Sequence, residues 1–253
     1  MPEPEPDFET DLRCAQCPVR HHAICDALGA SDIGELSDIM THRNLSAGDV
    51  ILHQGESSQL FAVIMSGVVK LTQILPDGRE QIVGLLSAAD SLGNPVSSIS
   101  NENAECVTDV KLCCFRRAQF GAVLRANPEL EHRLLVQTVN DLKQARQWMT
   151  VLGKLGAQEK MARFILWLWK ENRSTCPHRS QSDPGSVIYF PLKREEIAGL
   201  LGMTIETVSR NISKLKSEGI IDLLDAKSIE LRNVPRLQQI AQSYEDENDK
   251  DSC

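Results

Sequence analysis

Between residues 45 and 120 the apolar positions come in short β-branched bursts: LSAGDVILHQG, LFAVIMSGVVKLTQIL, REQIVGLL and CVTDVKLCCF. Turn signals separate them at Gly48-Asp49, Gly55-Glu56, Ser66-Gly67 and Pro76-Asp77-Gly78. Bursts of this kind predict strands, with a hairpin at the Pro-Asp-Gly turn. Many short strands at this spacing predict a sandwich or jelly roll. From Pro128 to about Leu152 the period changes. Leu135, Val139, Leu142, Met149 and Leu152 follow steps of four and three, with Arg146 in the seam between Leu142 and Met149. This pattern predicts one long amphipathic helix with a near-heptad stripe, suited to pairing with its own copy. After Gly153 and Gly156 a second helix is predicted over roughly 157–172, burying Met161, Phe164, Ile165 and Leu168. The polar stretch RSTCPHRSQSDPGS follows and reads as a flexible loop; Cys176 and His178 in it lack nearby partner cysteines for a metal site.

The sharpest local pattern is PLKREEIAGLLGMTIETVSRNISKLKSEGII, residues 191–221. A first helix around Arg194–Leu201 turns Ile197, Leu200 and Leu201 inward, and Gly202 breaks it. Thr204 is placed to cap a second helix that buries Ile205, Val208, Ile212 and Leu215. Two short helices joined by a glycine turn make a helix-turn-helix, whose second helix enters the DNA major groove. The exposed face of that helix then carries Glu206, Ser209, Arg210, Ser213 and Lys214. Arginine can bond O6 and N7 of guanine, glutamate can accept from cytosine N4, and a serine hydroxyl suits several base edges. Lys214 and Lys216 lie where phosphates would run, positioning the helix without specifying sequence. IIDLLDAKSIELRN, residues 220–233, reads as a hairpin, the wing of a winged helix.

Composition refines this picture. A length of 253 residues suits two modest domains, and 42% hydrophobic residues with only 4% aromatics make the cores mostly aliphatic. The net charge of −8 argues against nucleic acid at first sight. Residues 1–12 carry −5 and residues 243–253 carry −4, however, so the rest of the chain is about +1. Acidic ends are commonly solvated tails, and local charge must decide the partner. The longest apolar run, FILWLW at 164–169, is too short to span a bilayer, and the acidic start lacks the apolar core of a secretory signal. The expectation is a cytoplasmic protein with no membrane partner. There the eight cysteines would be reduced, and the clustered thiols Cys14, Cys17 and Cys25 point to metal binding or redox reactivity rather than disulfides. No nucleophile–base pair or phosphate loop emerges, so an enzyme is not expected.

The order β-roll, long helix, winged helix-turn-helix resembles the CRP/FNR family of bacterial transcription regulators over about residues 30–235. The fold class this implies is α+β. Its parts would be an acidic tail with a cysteine-rich loop (1–27), a cyclic-nucleotide-binding-like β-roll (28–126), a dimerisation helix (127–155), a winged helix-turn-helix (156–240) and an acidic tail (241–253). E-T-V-S-R at 206–210 is similar to the E-x-x-S-R of the fumarate-and-nitrate-reduction (FNR) branch, whereas the cyclic-AMP-responsive branch has arginine where Ile205 stands and lacks Ser209. The resemblance implies double-stranded DNA with TTGAT-type half-sites, Arg210 on guanine, Glu206 on the paired cytosine and Ser209 near thymine. It also implies a homodimer and a contact with RNA polymerase near Pro76-Asp77-Gly78-Arg79. The stretch SLGNPVSSISNENAE stands where cyclic-nucleotide binders carry a phosphate-neutralising arginine and has none, so no cyclic nucleotide is expected.

The same resemblance implies a [4Fe-4S] cluster, one per subunit, on three N-terminal cysteines and one from the roll. Cys14, Cys17 and Cys25 have the spacing C-x2-C-x7-C, whose longer second gap looks like the FnrL/FnrN-type branch. Cys106, Cys113 and Cys114 are all candidates for the fourth ligand; aligning VKLCCFRRAQF on the family pattern selects Cys113. Alternation along a strand places Cys113 and Cys114 on opposite faces. Four thiolates suit an iron–sulfur cluster and equally a tetrahedral zinc. A constitutive DNA-binding dimer with structural zinc or a thiol switch is therefore the alternative. Pro18 and Ile24, beside Cys17 and Cys25, are expected to shape access to the cluster, and His21 and His22 to be exposed loop residues.

Overall fold

The computed structural model describes residues 14, 17–29, 32–174, 187–225 and 227–241. The acidic ends and residues 175–186, the expected loop with Cys176 and His178, lie outside the described residues. The chain divides into two compact units, Met1–Val69 with Leu86–Val139 and Lys70–Leu85 with Asn140–Cys253.

The first unit opens with a 3-10 turn, Ile24–Ala27, and helix α1, Asp32–Ile39, which buries Ile33 and Leu36. The strands that follow along the chain are β1 (Met40–Leu45), β2 (Val50–Leu52), β3 (Leu60–Ser66), β4 (Val69–Ile74), β5 (Glu80–Leu86), β6 (Ser91–Leu92), β7 (Asn103–Cys106) and β8 (Val110–Arg116), of which β4 and β5 carry the Lys70–Leu85 stretch of the second unit. One sheet has the order β1-β8-β3-β6, the other β2-β7-β4-β5, as a roll requires. In the first, β8 runs antiparallel to both neighbours, with Cys113 opposite His42 on β1 and Val63 on β3. β3 (LFAVIMS) has five successive buried residues because it lies inside that sheet. Gly67 has φ 95°, and a Cβ there would strike the Asp109 carbonyl, so the turn between β3 and β4 needs glycine. The β4–β5 hairpin closes as expected at Pro76–Gly78, where Gly78 N–H donates to the Leu75 carbonyl at 2.8 Å.

The strand region differs from expectation at both ends. β1 precedes residue 45, and the β pattern stops at Arg116, where helix α2 (Arg117–Ala126) begins and buries Phe120 and Val123. Helix α3 follows as one element, Pro128–Lys154. Proline at its start and Glu129 and Glu131 in its first turn suit a helix N-terminus, and Lys154 suits its end.

In the second unit α4 (Ala157–Ser174) buries Met161, Phe164, Ile165 and Leu168, as its periodicity indicates. The Phe164 and Phe190 rings stack at 6.1 Å. Helices α5 (Arg194–Leu201) and α6 (Ile205–Ser217) meet at Gly202, whose φ 60° and ψ 48° are the left-handed cap that ends α5. The expected wing is present as β10 (Ile221–Leu223) and β11 (Ser228–Leu231). β9 (Val187–Tyr189), not anticipated, adds to β11 to give a three-stranded sheet β10-β11-β9, and α7 (Val234–Ile240) closes the unit.

Candidate thiol site and nucleic-acid interface

Cys14 and Cys113 belong to one buried cluster with Ile24, Leu28, Leu36 and Phe115, and Cys17 and Cys25 pack against it. The N-terminal segment reaches this place because its apolar residues dock: Ala23, Ile24 and Leu28 are all buried. Short turns hold its shape, with Cys17 N–H donating to the Cys14 carbonyl at 3.3 Å and Leu28 N–H to the Cys25 carbonyl at 3.2 Å. Burial, then the nearby Cys14 and Cys17 thiols, push Cys25 up to about 12. Burial and then the thiols of Cys25, Cys14, Cys17 and Cys114 raise Cys113 far above the ordinary thiol range. Cys14 is raised too, by burial first, with a Ser37 hydrogen bond opposing. Buried thiols so raised are protonated at neutral pH, and a metal that binds them must displace the protons.

Of the three roll cysteines, Cys113 is the one that lies with the N-terminal thiols. Its Sγ sits 4.0 Å from Met40 Sδ. Cys114 pairs in register with Thr41 and Ala62 and stands outside that cluster, its thiol raised to about 11 by burial against the opposing pull of Arg43. Cys106 is on β7 in the other sheet, raised to about 11 by burial and then by Asp49 and Glu105. Among the described residues no three or more Cys, His, Asp or Glu side chains are closed up to hold a metal ion as they stand. The donor set fits in kind: Cys14 and Cys113 share one buried cluster and Cys17 and Cys25 pack against it, four thiols from two chain segments. That is the set an iron–sulfur cluster takes, and tetrahedral zinc accepts it too.

Two neighbours differ in burial. Pro18 is exposed. Ile24 is inside the core at 1% exposure, where it anchors the segment. His21 and His22 are exposed, and His21 Nδ1 lies 3.2 Å from Asp26 Oδ1. Sequence reasoning passed over Arg20. Its guanidinium donates to the Leu28 carbonyl at 2.9 Å, and its Nε–H is buried without a hydrogen-bond partner. The available signal was a lone arginine between two candidate ligands, C-P-V-R-H-H-A-I-C.

On α6, Thr204 caps as expected, its hydroxyl accepting from Thr207 N–H at 3.3 Å. Val208, Ile212 and Leu215 are buried, but Ile205 is not: it is 44% exposed. It lies in the first turn of the helix, and Asn211 fills the buried stripe in its place, donating Nδ2–H to the Thr207 carbonyl at 2.8 Å. Glu206, Arg210, Ser213 and Lys214 are exposed and Ser209 half-buried, all on one helix. Hydrogen bonds from its own backbone N–H and the Thr204 hydroxyl, with the Arg210 charge, hold the Glu206 carboxyl below the usual range, so it is an acceptor at neutral pH. Ser213 Oγ donates to the Ser209 carbonyl at 3.0 Å. Lys214 Nζ donates to Gln158 Oε1 at 2.7 Å and lies 3.9 Å from Glu218, and Lys216 lies 4.0 Å from Asp222. These exposed contacts are weak enough for phosphates to displace.

At the cyclic-nucleotide stretch, Asn94 Oδ1 accepts from Val96 N–H at 2.8 Å and Ser97 N–H at 2.9 Å. Arg117 reaches it from α2, donating to the Val96 carbonyl at 3.3 Å. Along α3 the stripe Leu135, Val139, Leu142, Met149 and Leu152 is uncovered within the chain, from 39% exposure at Leu152 to 71% at Met149. Among the described residues no helix is long and apolar enough to cross a membrane.

A β-roll followed by a winged helix-turn-helix defines a DNA-binding regulator with an input domain. Residues 42–127 match the cyclic nucleotide-binding domain family and residues 159–240 the Crp-like helix-turn-helix domain family. Over 229 residues the chain is 34% identical to the transcriptional activator protein FnrL of Cereibacter sphaeroides, covering 90% of this chain and 92% of the relative. It is 33% identical over 228 residues to the nitrogen fixation regulation protein FixK of Bradyrhizobium diazoefficiens, covering 90% and 93%. The solved structure of FixK2 from Bradyrhizobium japonicum superposes with a TM-score of 0.71 at 25% identity, over 80% of this chain and 97% of that chain. The chain belongs to the CRP/FNR family of transcription regulators.

Proposed function

We propose that the chain is an oxygen-responsive transcription activator of the cytoplasm, holding one [4Fe-4S] cluster per subunit on Cys14, Cys17, Cys25 and Cys113. The observation that carries this reading is the meeting of the N-terminal thiols with Cys113 at one buried place, while Cys106 and Cys114 stand apart from it. When bound, the cluster supplies an oxygen-labile tie between the N-terminal segment and β8. The chain's residues do the rest. Ala23, Ile24 and Leu28 dock the segment on the roll, the α3 stripe pairs with its copy, and the dimer sets two α6 helices one DNA turn apart. Arg210, Glu206 and Ser209 read TTGAT-type half-sites, with Ser213 and Lys214 on the backbone. A tie present in one state only shifts the population toward the dimeric, DNA-binding form, and its loss releases DNA. The hairpin at Pro76–Arg79 touches RNA polymerase. No cyclic nucleotide is used, because residues 91–105 contain no Lys or Arg and Arg117 is engaged on a backbone carbonyl.

The test is DNA binding without air by the native chain and by Cys113→Ser, Cys114→Ser and Cys106→Ser. Loss of iron and of DNA binding in Cys113→Ser alone is expected. A Cys113→Ser protein that keeps both overturns the ligand assignment.

A further inference from the structure

Arg20, Arg117 and Arg163 each have a buried Nε–H without a hydrogen-bond partner, and of these Arg20 is the one in the cysteine-bearing segment. One end of its guanidinium is tied to the Leu28 carbonyl at 2.9 Å, while its Nε–H is buried and unpartnered. Buried N–H groups of a charged side chain are rarely left unpaired, because the desolvation is not recovered. Arg20 sits between Cys17 and Cys25 in the chain, and its own N–H donates to the Cys17 carbonyl at 3.3 Å. Leu28, whose carbonyl holds the guanidinium, lies in the same buried cluster as Cys14 and Cys113, and Cys17 and Cys25 pack against that cluster. Four thiolates gathered in a buried place carry more negative charge than an iron–sulfur core cancels. Such a site is stabilised by a cation and by N–H groups facing the sulfurs, which also set its reduction potential.

We propose that Arg20 is the counter-charge of the four-thiolate site, with the Leu28 carbonyl holding one end of the guanidinium and the free Nε–H available to a ligand sulfur. It is a positioning residue, not a ligand. The proposal rests on the four-thiol reading above. It assigns the site a dependence on Arg20 that neither the spacing of the cysteines nor their number contains.

The experiment compares the native full-length chain with Arg20→Gln and Arg20→Lys. Two quantities are read: the midpoint potential of the anaerobically reconstituted cluster, and cobalt(II) affinity from its thiolate charge-transfer absorbance. Losing one charge-assisted N–H contact should weaken cobalt(II) binding about tenfold or more in Arg20→Gln. The potential should move to a more negative value, and Arg20→Lys should fall nearer the native chain on both readouts. Equal potentials and equal cobalt(II) affinities would overturn the proposal and leave Arg20 as a tie to Leu28, a role that melting temperature alone reports. If the native chain takes up no iron and sulfide, the cluster reading fails, and the cobalt(II) series still decides the role of Arg20 at the thiols.

Discussion

Replacing Ile24 by alanine should loosen the thiol site without touching a thiol. Ile24 is 1% exposed and shares a buried cluster with Cys14 and Cys113. Alanine removes three carbons, a transfer loss of about 2.4 kcal/mol at about 0.8 kcal/mol per methylene. The cavity left behind carries the total into the ~2–5 kcal/mol range. Residues 17–28 are a short segment that can undock by itself, so the loss falls on its docking equilibrium before it falls on the whole fold. The amides of Ala23 and Leu28, bonded to the Val19 and Cys25 carbonyls, report that equilibrium by hydrogen exchange in the metal-free protein. A loss of about 2.4 kcal/mol makes them exchange about 50-fold faster. Amides of β3 should change far less, and Pro18→Ala, at an exposed position, should leave all of them alone. If Ala23 and Leu28 exchange within about threefold of the native rates in Ile24→Ala, the segment is not held on the roll by Ile24, and the docking argument fails.

Other outcomes test the remaining parts. Arg210→Ala should lose about 1–3 kcal/mol of binding and relax preference at one base, whereas Lys214→Ala should weaken all sequences alike and reduce the salt slope by about one; fluorescence anisotropy over a salt series separates them. Val139→Glu, in the middle of the exposed α3 stripe, should give a monomer by sedimentation with a melting temperature near native; a dimer of native affinity would remove α3 from the interface. Within the second unit, Lys70 Nζ donates to Glu196 Oε1 at 2.7 Å, and Glu196 Oε2 accepts from Lys193 N–H at 2.9 Å at the start of α5. Burial raises the Glu196 carboxyl, but these contacts outweigh it and hold it below its ordinary 4.5. A depressed carboxylate gives stability that is complete above its unfolded value and is lost as pH falls through the folded one. Lys70→Met should therefore destabilise at pH 7 and converge on the native chain below about pH 4.5, read by urea unfolding; a pH-independent difference would contradict this.

The DNA-reading half was legible because its signals are local. A 3.6-residue period, a glycine in left-handed conformation and a threonine cap sit within 31 consecutive residues, 191–221. The same rule misplaced Ile205, since periodicity says which face a residue is on but not whether a partner covers the first turn. The α3 stripe was also legible, and its exposure in a single chain is what the pattern implies. Other elements were not. β1 reads MTHRNL, too polar to look like a strand, and gains its place by pairing with β8. α2 reads RAQFGAVLRA and buries only Phe120 and Val123. β9 has three residues and exists through its pairing with β11. For the thiols, spacing gave three neighbours, and strand alternation separated Cys113 from Cys114. The family resemblance selected Cys113, and the register of β8 with the docking of Ile24 places that face against the N-terminal segment; no local pattern encodes it.

The central claim is that the buried thiols hold an oxygen-labile cluster. Its most direct test is the iron, sulfide and zinc content of protein purified without air, with absorbance followed as air is admitted. About four irons and four sulfides per chain, bleaching in air, is the result this account predicts. One zinc per chain, with no bleaching, would contradict it and leave a DNA-binding dimer whose thiols are a structural staple.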